Sequence, residues 1–171
     1  MNLADILPLE KWVETEKEIN ARSGLDSSVF DIDGIRITDY KEWSNRLCPA
    51  IKANEKGQSY ICAVAHQNLA TIAKKTRKPV IMECDAGLVK IIAPIFINGE
   101  FSGTVGGCGL LLDDGEADAF LINKTTGIDY ETIENLSGGI DSITTKKAEA
   151  IAAFLESRVA EIVDGYKKKK L

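Results

Sequence analysis

The run from Val89 to Leu112 reads VKIIAPIFI, then NG, then EFSGTVGGCGLLL. Two β-prone stretches flank Asn98-Gly99, the residue pair of a type I′ turn, in which both central positions take positive φ. An antiparallel hairpin is therefore expected here. In a two-residue register the numbers of opposed residues sum to 197. Val89 then faces Cys108, Ile91 faces Gly106, Ala93 faces Thr104 and Ile95 faces Ser102, and alternation puts all eight on one sheet face. One strand is aliphatic there and its neighbour is small or polar, which leaves a hollow. Gly103, Gly106, Gly107 and Gly109 are costly in a strand and mark either a bulge or the close approach of a ligand or another backbone. Helix packing on the glycines and a ligand pocket are both consistent with them.

Working outward, Val80–Met82 is a short strand before the hairpin, and Ser28–Thr38 reads as another hairpin turning at Asp33-Gly34. Pro8–Ser23 has a helix start, apolar residues at helical spacing and Gly24 as its stop. Helical patterns recur at Lys41–Asn54, Ser59–Lys75, Glu116–Lys124 and Tyr130–Leu136. The last runs from Thr144 to about Tyr166, with Ala148, Ile151, Ala152, Leu155, Val159, Ile162 and Val163 on one stripe. The expected fold is α+β: five mostly antiparallel strands with helices to one side. Residues 1–143 form the domain, and residues 144–171 form a signalling or dimerisation helix with a basic tail.

At 171 residues the chain suffices for one domain with a sizeable core. Its net charge is −5, and the terminal Lys167–Lys170 run hides a more acidic body. That balance argues against a nucleic-acid binder, which needs a positive surface. Lys74, Lys75, Arg77 and Lys78 form only a solvated helix end. No window reaches the roughly 20 apolar residues of a membrane span, and the N-terminus lacks a secretory pattern, so a cytoplasmic protein with reduced thiols is expected.

Those thiols are the main chemical material. Cys48, Cys62, Cys84 and Cys108 come from four separate segments without a Cys-x-x-Cys pair. They are either packing residues or a soft-ligand set suited to zinc or an iron–sulfur cluster. His66, the only histidine, stands four residues after Cys62 and reads as partly exposed rather than as a ligand. Asp85 is a turn residue or a ligand contact. Lys90 interrupts an apolar strand and pairs either with Asp85 or with an anionic ligand.

Together these residues resemble the PocR family of sensory domains. The resemblance rests on Val29-Phe30-Asp31-Ile32-Asp33-Gly34, Cys48, Cys62, Lys78-Pro79-Val80, Cys84-Asp85-Ala86-Gly87-Leu88 and Ala93-Pro94-Ile95-Phe96-Ile97-Asn98-Gly99, spanning about Leu7 to Leu112. It implies a PAS-like fold, a five-stranded antiparallel sheet with flanking helices around a small ligand. It also implies a sensory role towards simple organic molecules such as hydrocarbon derivatives and diols. Three departures stand out. Asp85 replaces a common His, Gly107-Cys108 replaces a common Gly-Gln, and no output module follows the last helix. The chain thus reads as a four-cysteine variant.

The fourth cysteine favours ligation, with an iron–sulfur cluster ahead of zinc, because glycines leave room for a cluster and N–H groups for its sulfurs. The expected protein is a non-catalytic signal-transduction domain. Cys48, Cys62, Cys84 and Cys108 would hold metal, and Asp85, Val89, Ile91, Thr104 and Gly106 would line the ligand pocket. Its partners would be a small molecule, a signalling protein and a second copy of itself. The alternative is a small redox or electron-transfer accessory protein carrying a cysteine-ligated cluster.

Overall fold

A computed structural model describes residues 1–171. The order is α1 (Leu3–Ile6), α2 (Leu9–Ser23), β1 (Asp26–Asp31), α3 (Leu47–Ala53), α4 (Glu55–Gly57), a π-helix (Gln58–Cys62) and α5 (Ala63–Thr76). Then come β2 (Val80–Glu83), β3 (Val89–Ile97), β4 (Glu100–Leu112), α6 (Ala119–Thr126), α7 (Tyr130–Ser137), β5 (Ser142–Ile143) and α8 (Thr145–Lys169). The class is α+β: an open five-stranded sheet, ordered β1-β4-β3-β2, with flanking helices and a long C-terminal helix. Every ladder is antiparallel except the two-residue β5, which pairs with β4 in parallel.

The fifth strand is therefore not the second half of the expected 28–38 hairpin. That segment makes one bridge, Phe30 to Arg36. Ile32 and Ile35 at its tip remain exposed, so the tip buries little apolar surface to hold a ladder.

The Asn98-Gly99 turn forms as expected, both residues having positive φ, and Ile97 faces Glu100 and Phe96 faces Phe101. The register then slips at Ser102-Gly103, so that Ile95 faces Gly103, and slips again at Gly109, between the pairs Lys90–Cys108 and Val89–Leu110. Gly103 (φ 152°) and Gly109 (φ 112°) supply backbone conformations that L side chains rarely adopt. A one-residue slip exchanges the faces of one strand relative to the other. Cys108 consequently lies beside Lys90, Gly106 beside Ile92 and Thr104 beside Pro94.

Helices cover both faces, not one. On the first, Val29, Val89, Ile91, Ala93, Ile95 and Val105 form the main core with Trp12 and Ile19 of α2 and with Ala148, Ile151, Leu155, Val159 and Val163 of α8. The stripe on α8 thus covers the sheet. Thr144 caps this helix by accepting the N–H of Lys147, and the Asp113 carboxylate accepts the N–H of Thr145. On the second face α5 packs Leu69 and Ala73 on Val80 and Ile92. A smaller cluster joins Leu47, Ile51, Ile61 and Ala86 to Ile122 of α6 and Ile133 of α7.

Glu16 is a carboxylate inside the α2–sheet layer. It accepts the Val29 N–H at 3.1 Å and the Thr38 hydroxyl at 2.6 and 2.7 Å. Burial pushes its pKa above the usual carboxylate range, with the Thr38 hydrogen bond, Arg36 and the Val29 N–H opposing. Between the unfolded value near 4.5 and the raised native value, the folded chain holds more protons than the unfolded one, so Glu16 makes stability fall as pH rises. Glu16→Gln keeps the acceptor but cannot ionise. Urea unfolding across this interval should show a flatter stability curve for the variant; parallel curves would refute the account.

Candidate functional site

The sheet face carrying Asp26, Ser28 and Phe30 of β1, Lys90 of β3 and Cys108 of β4 is roofed by α3, the π-helix and the start of α5. Between them lies a cavity of about 150 Å³. Its apolar lining includes Phe30, Ile51, Ile61, Ala65, Ala86 and Leu88. An apolar cavity of this size takes up benzene in another protein, so the space suits a molecule of about that size.

All four cysteines line this cavity, and all four are free thiols. Cys48 is set by the start of α3, where its N–H donates to the Asn45 side-chain oxygen at 2.7 Å and its Sγ accepts from Asn45 Nδ2 at 3.2 Å. Cys62 closes the π-helix, a geometry frequent at functional sites because it shifts side chains off the regular helical face. Cys84 precedes a turn in which the Gly87 N–H donates to the Cys84 carbonyl. Cys108 sits between two glycines of β4. Burial raises the pKa of Cys48, Cys62 and Cys84, with Asn45 opposing at Cys48, the cation of Lys52 at Cys62 and the N–H groups of Leu88 and Ala86 at Cys84. These three are neutral thiols at neutral pH. No three Cys, His, Asp or Glu side chains gather closely enough to hold one metal ion.

The lining residues named from sequence lie elsewhere. Val89 and Ile91 point to the opposite face and belong to the α8 core, because the register slip separates their face from that of Cys108. Asp85 is exposed in its turn. Gly106 does not line the cavity; it is a glycine because a Cβ there would lie 2.0 Å from the Ile91 carbonyl oxygen. Thr104 lines a second, more open hollow with Asp31, Gly34 and Lys74.

The polar groups at the cavity are others. Lys90 is 8% exposed, and Asp85 is not its partner. It takes part in no ion pair, and its Nζ lies 5.1 Å from the centroid of the Phe30 ring. Burial lowers its pKa. Lys41 pairs with Asp26 at 2.9 Å and spans the Trp43 ring. His66 is buried, not partly exposed: its ring stacks on Phe30 with centroids 4.0 Å apart, and Nδ1 has no protein partner. Burial, with Lys90 and Lys52 adding to it, lowers its pKa to about 3. A lysine inside an apolar strand was the one legible sign of this polar set. The position of His66 depends on the π-helix, which spacing alone does not reveal.

No helix is long and apolar enough to cross a membrane. The family model described as "Sensory domain found in PocR" matches residues 5–165, nearly the whole chain. No curated protein matches, and no solved structure does.

Proposed function

The chain belongs to the family of sensory domains found in PocR, and from that premise we propose that its sensory site is the four-thiol cavity, which binds a small organic ligand without catalysis. The supporting observation is one preformed, mostly apolar cavity with a few convergent polar groups, the usual form of a small-molecule site. The strand β3 offers a route for the signal. Lys90 faces the cavity, whereas its neighbours Val89 and Ile91 pack in the α8 core. A ligand that shifts β3 therefore changes the seat of α8, which would report to a signalling partner or a second copy of the chain.

The four thiols favour a second reading, in which Cys48, Cys62, Cys84 and Cys108 hold an iron–sulfur cluster. A cluster spreads its ligands farther apart than one ion does, so it suits four thiols around a cavity better than zinc does. In that case the protein is either a redox-responsive sensor or an electron-transfer accessory. Iron, zinc and acid-labile sulfide analysis of the anaerobically purified chain, with its visible spectrum, separates the readings. The organic-ligand reading expects a colourless protein with negligible metal. Stoichiometric iron and sulfide, lost in Cys108→Ala, would replace it with the cluster. Zinc that survives Cys108→Ala would exclude that residue from its site.

A further inference from the structure

Four cations line the cavity in a chain of net charge −5: Arg36, Lys41, Lys52 and Lys90. Two of them have partners within the protein. Lys41 pairs with Asp26, and Arg36 donates to the carbonyl oxygens of Ser27 and Tyr40. Lys52 is half-buried and, like Lys90, makes no ion pair. Lys90 differs from all three in being more than nine-tenths buried while it lines the cavity, and it takes part in no ion pair. An ammonium taken out of water without a counter-charge is costly. An anion reaching Nζ supplies the missing counter-charge, and in this weakly screened space the attraction exceeds what it would be in water.

We propose that the cavity selects a small organic monocarboxylate, its carboxylate seated on Lys90 Nζ and its apolar body among Phe30, Ile61 and Leu88. The inference rests on the organic-ligand reading and adds the ligand's class to it. The charge follows from Lys90, the one lining cation that is both unpartnered and more than nine-tenths buried. The small, mostly apolar body follows from the lining and from the volume of about 150 Å³. A phosphate-sized dianion would need a second buried cation, and none is present.

Calorimetric titration of the metal-free full chain with benzoate and butyrate, against benzyl alcohol and 1-butanol, tests this. Each acid should bind about tenfold or more tightly than the alcohol of matching shape, since a hydrogen bond to a charged group is worth roughly twice a neutral one. Lys90→Met should abolish that preference while leaving the alcohols bound, and Lys90→Arg should retain part of it. Alcohols that bind as tightly as the acids overturn the inference and leave the organic-ligand reading standing. So does an acid preference undiminished in Lys90→Met. Failure of all four probes to bind overturns the inference, and stoichiometric iron and sulfide in the untreated protein would overturn the organic-ligand reading with it.

Discussion

Acidification from pH 7 towards pH 3 should cost the protein roughly 4 kcal/mol through His66 alone. The imidazole lies in a cavity wall against Phe30, beside a glycine turn and two lysines. Protonation would place a further cation there, so the native pKa falls to about 3 from an ordinary 6.5. Below pH 6.5 the unfolded chain takes up a proton that the native chain refuses, and stability falls until the native group titrates near 3. Above pH 6.5 the residue contributes no pH dependence. Glu16 acts with the opposite sign, since its raised native pKa adds stability as pH falls towards 4.5. The comparison that isolates His66 is His66→Asn, which removes titration while keeping a planar polar group. Its baseline stability will drop with the lost stacking, so the slope is the readout. Urea unfolding of both proteins between pH 7 and pH 4 should give converging stabilities. Curves that remain parallel would mean that His66 is not held neutral.

Much of the fold is legible because its signals are local. Asn98-Gly99 turns the β3–β4 hairpin, the α8 stripe buries one face, and Gly24 ends α2 in the left-handed conformation. Register is where local signals run out. Gly103 and Gly109 suggest room for a ligand, yet their positive φ values build two bulges. Nothing in the strand sequences distinguishes the two uses, and one extra residue suffices to put Val89 and Ile91 on the wrong face. The missing half of the first hairpin has a similar origin: Asp33-Gly34 makes its turn, but the tip buries too little to extend the ladder.

The candidate site divides along the same line. Cysteines from α3, the π-helix, the β2–β3 turn and β4 line one cavity, a convergence that spacing allowed without specifying its distances. Lys90 stood out as a charge in an apolar strand, and its lack of an ion-pair partner became visible only in three dimensions. Asp26, Asn45 and His66 reach the cavity through long-range placement. No pattern in the neighbouring residues announces them.

Gly106→Ala should be strongly destabilising. Sequence reasoning places this glycine beside a ligand, where an added methyl would weaken binding and spare the fold. The structure assigns it to the contact between β3 and β4 instead. A Cβ at Gly106 would lie 2.0 Å from the Ile91 carbonyl oxygen and 2.7 Å from the Ile92 Cα. Both are backbone atoms, so no rotamer change relieves the clash, and the central strand pair must separate. Overpacking costs typically about 1–3 kcal/mol, and contact with backbone puts this case at the upper end or beyond. At roughly 2–4 °C per kcal/mol for a chain of this size, Tm should fall by about 6–12 °C. Gly165→Ala is the matched control. It lies within α8 with no atom within 4 Å of the added carbon, so the better helix former should raise stability by up to about 1 kcal/mol. Thermal unfolding of the two variants decides the role of Gly106. A Tm unchanged in Gly106→Ala, with ligand binding lost, would return that glycine to the cavity wall and undo the register described for β4.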